Sequence, residues 1–153
     1  MSIQESQDGK MQNSINLAKG QLAVDINTNV DDTTALNKFI NSMTSVGVTD
    51  VDSIIMGCFN VVYSLGKSSN IFSELMKIYP DKAEDISKFS IIFFKKYATS
   101  GDDVMAKIKD FYAKYGETKE MLLTELGFLI ADGFKDIDRI TYITNKCNTT
   151  TTN

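Results

Sequence analysis

Four short stretches of the chain carry residue types that bind ions or move protons elsewhere. Asp25, Asn27, Asn29 and Asp31 alternate as the first ligands of a calcium loop do. Such a loop needs glycine at its sixth position for the sharp turn and a bidentate glutamate at its twelfth. Those places hold Val30 and Leu36, so the stretch reads as a polar loop ending in a helix cap. Gly66-Lys67-Ser68 matches the end of a phosphate-binding loop, in which backbone amides and a lysine hold phosphate oxygens. The first glycine of that motif would stand five residues earlier, and Val61 stands there instead.

The third stretch holds two acids. Glu125 and Asp132 lie seven residues apart, which puts them on one face of a helix. Paired carboxylates divide the acid and base roles in glycoside hydrolysis. Nothing else in the pattern marks these two, and they read as solvated acids. The fourth group is the thiols. Cys58 sits among apolar residues at helical spacing and reads as a small buried hydrophobe, because a reactive thiol needs surroundings that stabilise the thiolate. Cys147 borders a polar tail and reads as a thiol without a role, with an exposed thiol open to an intermolecular disulfide as the alternative.

Two scarcities decide more than these fragments. The chain has no histidine. Imidazole is the side chain whose ordinary pKa lies near neutrality, so Ser-His-Asp and Cys-His catalysis are excluded. Histidine-containing zinc sites and haem held by a proximal histidine go with them. Arg139 is the single arginine, which rules out an arginine cluster for phosphate or carboxylate recognition. Lysines are spread over predicted helix faces, as at Lys95, Lys96, Lys107, Lys109 and Lys114, and the net charge is −4. A nucleic-acid groove needs the opposite, clustered cations that displace phosphate counterions. No cofactor, metal or nucleic-acid partner is expected.

These residues need elements to position them. A chain of 153 residues fits one domain, and 42% hydrophobic with 24% charged residues suits a globular fold. No apolar run approaches the roughly 18 residues a membrane span needs. Met1 to Lys10 is polar and lacks the apolar centre of a secretory signal, so a cytoplasmic location is expected.

The periodicity predicts an all-α, single-domain globular bundle of six to eight helices. Residues 1–12 read as a flexible segment, 13–147 as the helical domain and 148–153 as a disordered Asn/Thr tail. A first, weak helix spans about Asn13 to Val24. A second, capped by Asp31 or Asp32, carries Leu36, Phe39, Ile40 and Met43 and stops at Gly47. A third starts at Thr49, ends at Gly66 and is apolar around most of its circumference, which marks it as central. A short helix with Phe72, Leu75 and Met76 ends at Pro80. The next spans about Asp81 to Thr99, and another follows with Asp102 as its cap and Gly116 as its stop. Residues 117–134 form one more helix, with Leu122, Leu126 and Leu129 on its stripe. Residues 136–147 are spaced as a helix but rich in β-branched residues, which keeps a strand open.

The chain is also rich in soft, bulky side chains, with seven Met and nine Phe. Met43, Met56, Phe59, Phe72, Met76, Met105 and Phe128 are the candidates to line an apolar cavity or a partner surface. Apolar coverage beyond one stripe at 50–65 and 81–99 suggests a surplus face. The sequence therefore points to a non-enzymatic interaction or assembly module that binds a protein partner or itself. The alternative is a carrier of an apolar small molecule between helices.

Overall fold

Short polar side chains start the helices of this chain, and glycines end several of them. The computed structural model describes the backbone of residues 3–131, 133 and 136–151, and the side chains of 9–131, 133 and 136–148. Among the described residues there are eight α-helices and no strand. They are α1 (Ile3–Asn27), α2 (Asp32–Ser45), α3 (Val51–Leu65), α4 (Ile71–Ile78), α5 (Ala83–Tyr97), α6 (Gly101–Tyr115), α7 (Lys119–Ala131) and α8 (Ile137–Thr151). A 3-10 turn at Pro80–Lys82 leads into α5. The all-α fold matches the periodicity, and the segment that left a strand open is helix. No described helix is long and apolar enough to cross a membrane.

The caps give the reasons locally. The Asp31 carboxylate accepts from the Thr34 amide and satisfies one of the orphan donors at the start of α2. Gly66 ends α3 with φ 69°, a left-handed conformation that suits a residue without Cβ. At α6 the cap is Ser100, not Asp102. The Ser100 hydroxyl accepts from the Asp103 amide, and the Asp103 carboxylate accepts from the Thr99 amide. This reciprocal pairing satisfies two donors, which Asp102 alone would not do. Thr118 and Asp136 cap α7 and α8 in the same way, accepting from the amides of Met121 and Arg139.

Helix bounds differ from the pattern at both ends of the chain. α1 begins at Ile3, ten residues before the expected Asn13. Its buried seam is narrow, made of Ala18, Leu22, Asp25 and Ile26, while Leu17 and Val24 are exposed. That mixture blurs the amphipathic signal. α8 runs to Thr151, past the expected boundary at Cys147. Residues 152–153 of the expected tail lie outside the described residues, as do residues 1–2 of the expected N-terminal segment.

The helices group into two compact units, Met1–Glu74 and Leu75–Asn153. In the first, α1, α2 and α3 pack on one another. Its core includes Leu22, Leu36, Phe39, Met43, Ile54, Ile55 and Phe72. Gly57 of α3 sits tightly there, since a Cβ at that position would stand 3.2 Å from the Phe39 ring. In the second unit α5 packs on α6 and α7, and α7 packs on α8. Its core includes Leu75, Met76, Ile86, Ile91, Ile108, Met121, Leu129 and Ile143.

Candidate functional site

The seven Met and Phe candidates do not converge on one cavity. Phe59 and Phe72 face each other within the first unit, with ring centroids 6.5 Å apart. Met76 and Met105 are buried in the second unit. Met43 and Met56 line a groove of about 610 Å³ in the first unit. Met11, Ile15 and Val48 add apolar wall to it, while Lys19, Asp50, Asp52 and Asn60 add polar groups. Phe128 lines a separate trough in the second unit.

The carboxylates also fall differently from the pattern. Glu125 is not a solvated acid: it is completely buried in α7. Both of its oxygens accept from Arg139 of α8, Oε2 from Nε and Oε1 from an Nη amine, each at 2.7 Å. The guanidinium lies 5.0 Å from the Tyr142 ring centroid and 5.8 Å from that of Tyr112. Aromatic faces and a forked carboxylate together satisfy an arginine that is itself buried. Burial alone would lower the Arg139 pKa, but the Glu125 hydrogen bonds and charge outweigh it and hold the group further toward its charged form. Tyr112 donates to the Met121 carbonyl at 2.8 Å, and burial together with the Glu125 charge raises its pKa. Tyr142 donates to Glu117, which raises its pKa as well. The cluster therefore clamps α8 and α6 to α7. Asp132, the expected second acid, lies outside the described residues.

Cys58 is fully buried, and that burial, with the Asp32 charge, pushes its thiol up to about 12. It packs as a small hydrophobe. Cys147 is buried too, not exposed at the edge of the tail. It stands four residues beyond Ile143 and eight beyond Arg139, on the one seam that α8 turns inward. Among the described residues no three acid or thiol side chains gather as a metal site would require.

Exposed apolar side chains occur on α3 at Met56, on α5 at Ile92 and, more strongly, on α7. α3 buries Ile54, Ile55, Cys58, Phe59, Val61 and Val62, and α5 buries Ile86, Ile91, Phe93 and Phe94. α7 instead is apolar on two sides. It turns Met121, Leu122 and Leu129 inward and leaves Leu123 46% and Ile130 68% exposed. Leu123, Gly127 and Ile130 follow one another at steps of four and three, one stripe of a helix. This stripe borders a trough of about 420 Å³ between α7 and α5. Leu123, Thr124, Gly127, Phe128 and Ala131 form its α7 wall, with Glu120 at the start. Glu84 and Lys88 form its α5 wall, paired with each other at 3.3 Å. Near the end of α5, the Lys95 ammonium stands 5.3 Å from the Phe128 ring centroid, and Phe128 is near the end of α7. Starts lie with starts and ends with ends, as for two helices running the same way. One end of the trough thus carries Glu84, Glu120 and Lys88, and Lys95 stands toward the other.

The periodicity alone did not single out this stripe. Its signal was available: the α7 sequence is apolar on more than one side, so packing one face on α5 and α8 leaves another uncovered.

No family model, no curated protein and no solved structure matches this chain.

Proposed function

We propose that this chain is a non-enzymatic interaction module that holds another protein helix against the apolar face of α7. The observation that carries the reading is Leu123 and Ile130, both exposed on one stripe of α7, with Leu123 lining the apolar trough. A helix that spends its apolar residues on solvent gains nothing in folding from them, whereas burying them under a partner returns about 25 cal/mol per Å². The stripe is short and centred on Gly127, where a Cβ would meet open space. A facing helix can therefore come close to the α7 backbone.

Photo-crosslinking in the source cells tests this reading. A benzophenone residue in place of Gly127 is expected to form discrete protein adducts that the same residue in place of the exposed Asn41 does not. Equal, diffuse labelling from both positions would remove the proposal. The carrier alternative has one observation in its favour, the groove of about 610 Å³ with Met11, Met43 and Met56 along it. Native mass spectrometry of protein from its source would show a retained apolar molecule if that groove is a carrier site.

A further inference from the structure

We infer that α8 is a releasable strap, latched to α7 by the Glu125–Arg139 fork, which lifts off and unwinds while α5, α6 and α7 stay folded.

The apolar hold on α8 is thin. Among the described residues its buried side chains are Arg139, Ile143 and Cys147, while Ile137 is 72% exposed. Its main neighbour is one helix, α7. Other helices share one of these traits but not both. α6 also has one main neighbour, α5, yet it buries Val104, Met105, Ile108, Phe111 and Tyr112. α1 has a narrow seam as well, yet it packs on both α2 and α3.

The sequence of α8 is also a poor helix former. Thr141, Thr144, Asn145, Asn148 and the run from Thr149 to Thr151 favour helix weakly. A helix of this length and composition does not persist in water once it loses its packing face. The strongest tie to α7 is ionic, and that tie is reversible in a way apolar packing is not. Removing one partner strands the other, but release hydrates Glu125 and Arg139 together, so water replaces most of what the fork loses. An apolar pair in the same place would meet water with no such compensation. Tyr142 adds a hydrogen bond to Glu117, but both side chains are exposed, and water replaces that bond as well. Segments with so little apolar hold open ahead of the core. α8 is thus an order–disorder element, and whatever prefers the released strap draws it from the fold.

Thiol labelling of the full chain tests this. Cys147 reports on α8, and Ser90→Cys puts a buried thiol on α5 of the same unit. A maleimide probe with mass mapping reads each thiol separately. Where reclosing outruns labelling, the rate follows the open population. Cys147 is expected to label roughly tenfold faster or more than Ser90→Cys. Its rate is also expected to rise more gently with urea, because release exposes little surface. Equal rates with equal urea slopes would mean that α8 leaves only with the whole unit, and would overturn the inference. Arg139→Met is expected to speed Cys147 labelling by roughly a hundredfold or more, because release then frees the stranded Glu125. Glu125→Leu with Arg139→Met is expected to bring the rate back to within about tenfold of the parent. Ile143→Val, a milder change on the same seam, is expected to speed it by about fivefold. Fraying of the last turn would also expose Cys147, but it leaves the fork closed. A Cys147 rate that neither Arg139→Met nor Ile143→Val changes would identify such fraying and overturn the inference too.

Discussion

The two units handle buried charge in opposite ways. The first keeps its charge at the margin. Asp25 of α1 is buried, but its partner Lys38 reaches it at 3.0 Å from a side chain that is half exposed, and Gln21 donates to the same carboxylate. The second unit puts both partners inside, Glu125 and Arg139, with tyrosine rings around the guanidinium. A marginal pair can lose one member to water. An enclosed pair cannot, because the survivor stays buried without its counter-charge. The difference teaches where each unit is brittle. The first depends on apolar packing with a charged edge, and the second on one fork between α7 and α8.

Removing half of each pair breaks the comparison most sharply. Arg139→Met is expected to cost about 3–5 kcal/mol, because it strands the Glu125 carboxylate in the interior. Asp25→Asn is expected to cost clearly less, since Lys38 simply turns to solvent. Urea unfolding of both variants checks the order, and equal losses would end the contrast. Replacing the whole enclosed pair, Glu125→Leu with Arg139→Met, is expected to recover most of the loss, as apolar side chains of similar volume fill the site. The recovery, read in the same urea titration, separates stranded charge from lost packing.

Acid comes next in size. Hydrogen bonds hold Asp25, Asp31 and Asp103 below their ordinary 3.8: from Gln21 first and then Lys38 for Asp25, from Thr34 for Asp31, and from the Thr99 amide for Asp103. Each therefore favours the folded state above 3.8, and the gain is lost as pH falls through the lowered value. Thermal melts from about pH 5 to about pH 2 are expected to show falling stability. Asp31→Asn is expected to flatten that fall, and an unchanged slope would remove the cap's contribution. Smallest of all is Ile130→Ser. Its side chain is exposed, so stability is expected to stay within about 0.5 kcal/mol. A larger loss would show that the α7 stripe serves folding after all.

Particular residues show what the sequence could and could not disclose. Asp31, Gly66 and Gly116 act within a turn of their own position, so their roles as cap and stops were legible from neighbours alone. Ser100 escaped because Asp102, two residues on, has the same chemistry, and only the backbone angle chooses between them. Glu125 and Arg139 are separated by 14 positions, and no local pattern says that two helices will bring them together. The α7 stripe was hidden for a related reason. When a helix is apolar on two sides, periodicity cannot tell which side the neighbours will cover, and only the packing of α5 and α8 decides it.

The lone guanidinium gives the chain a gauge of its own opening. A protease that cuts only after arginine has one sequence position to attack, Arg139, and in the folded state that position is locked in its fork. Lysine-rich helix faces are invisible to such an enzyme, so the rate of the single cut counts how often α8 lifts from α7. No label or engineered site is required. Any ligand or partner that steadies the last two helices would register as a slower clock.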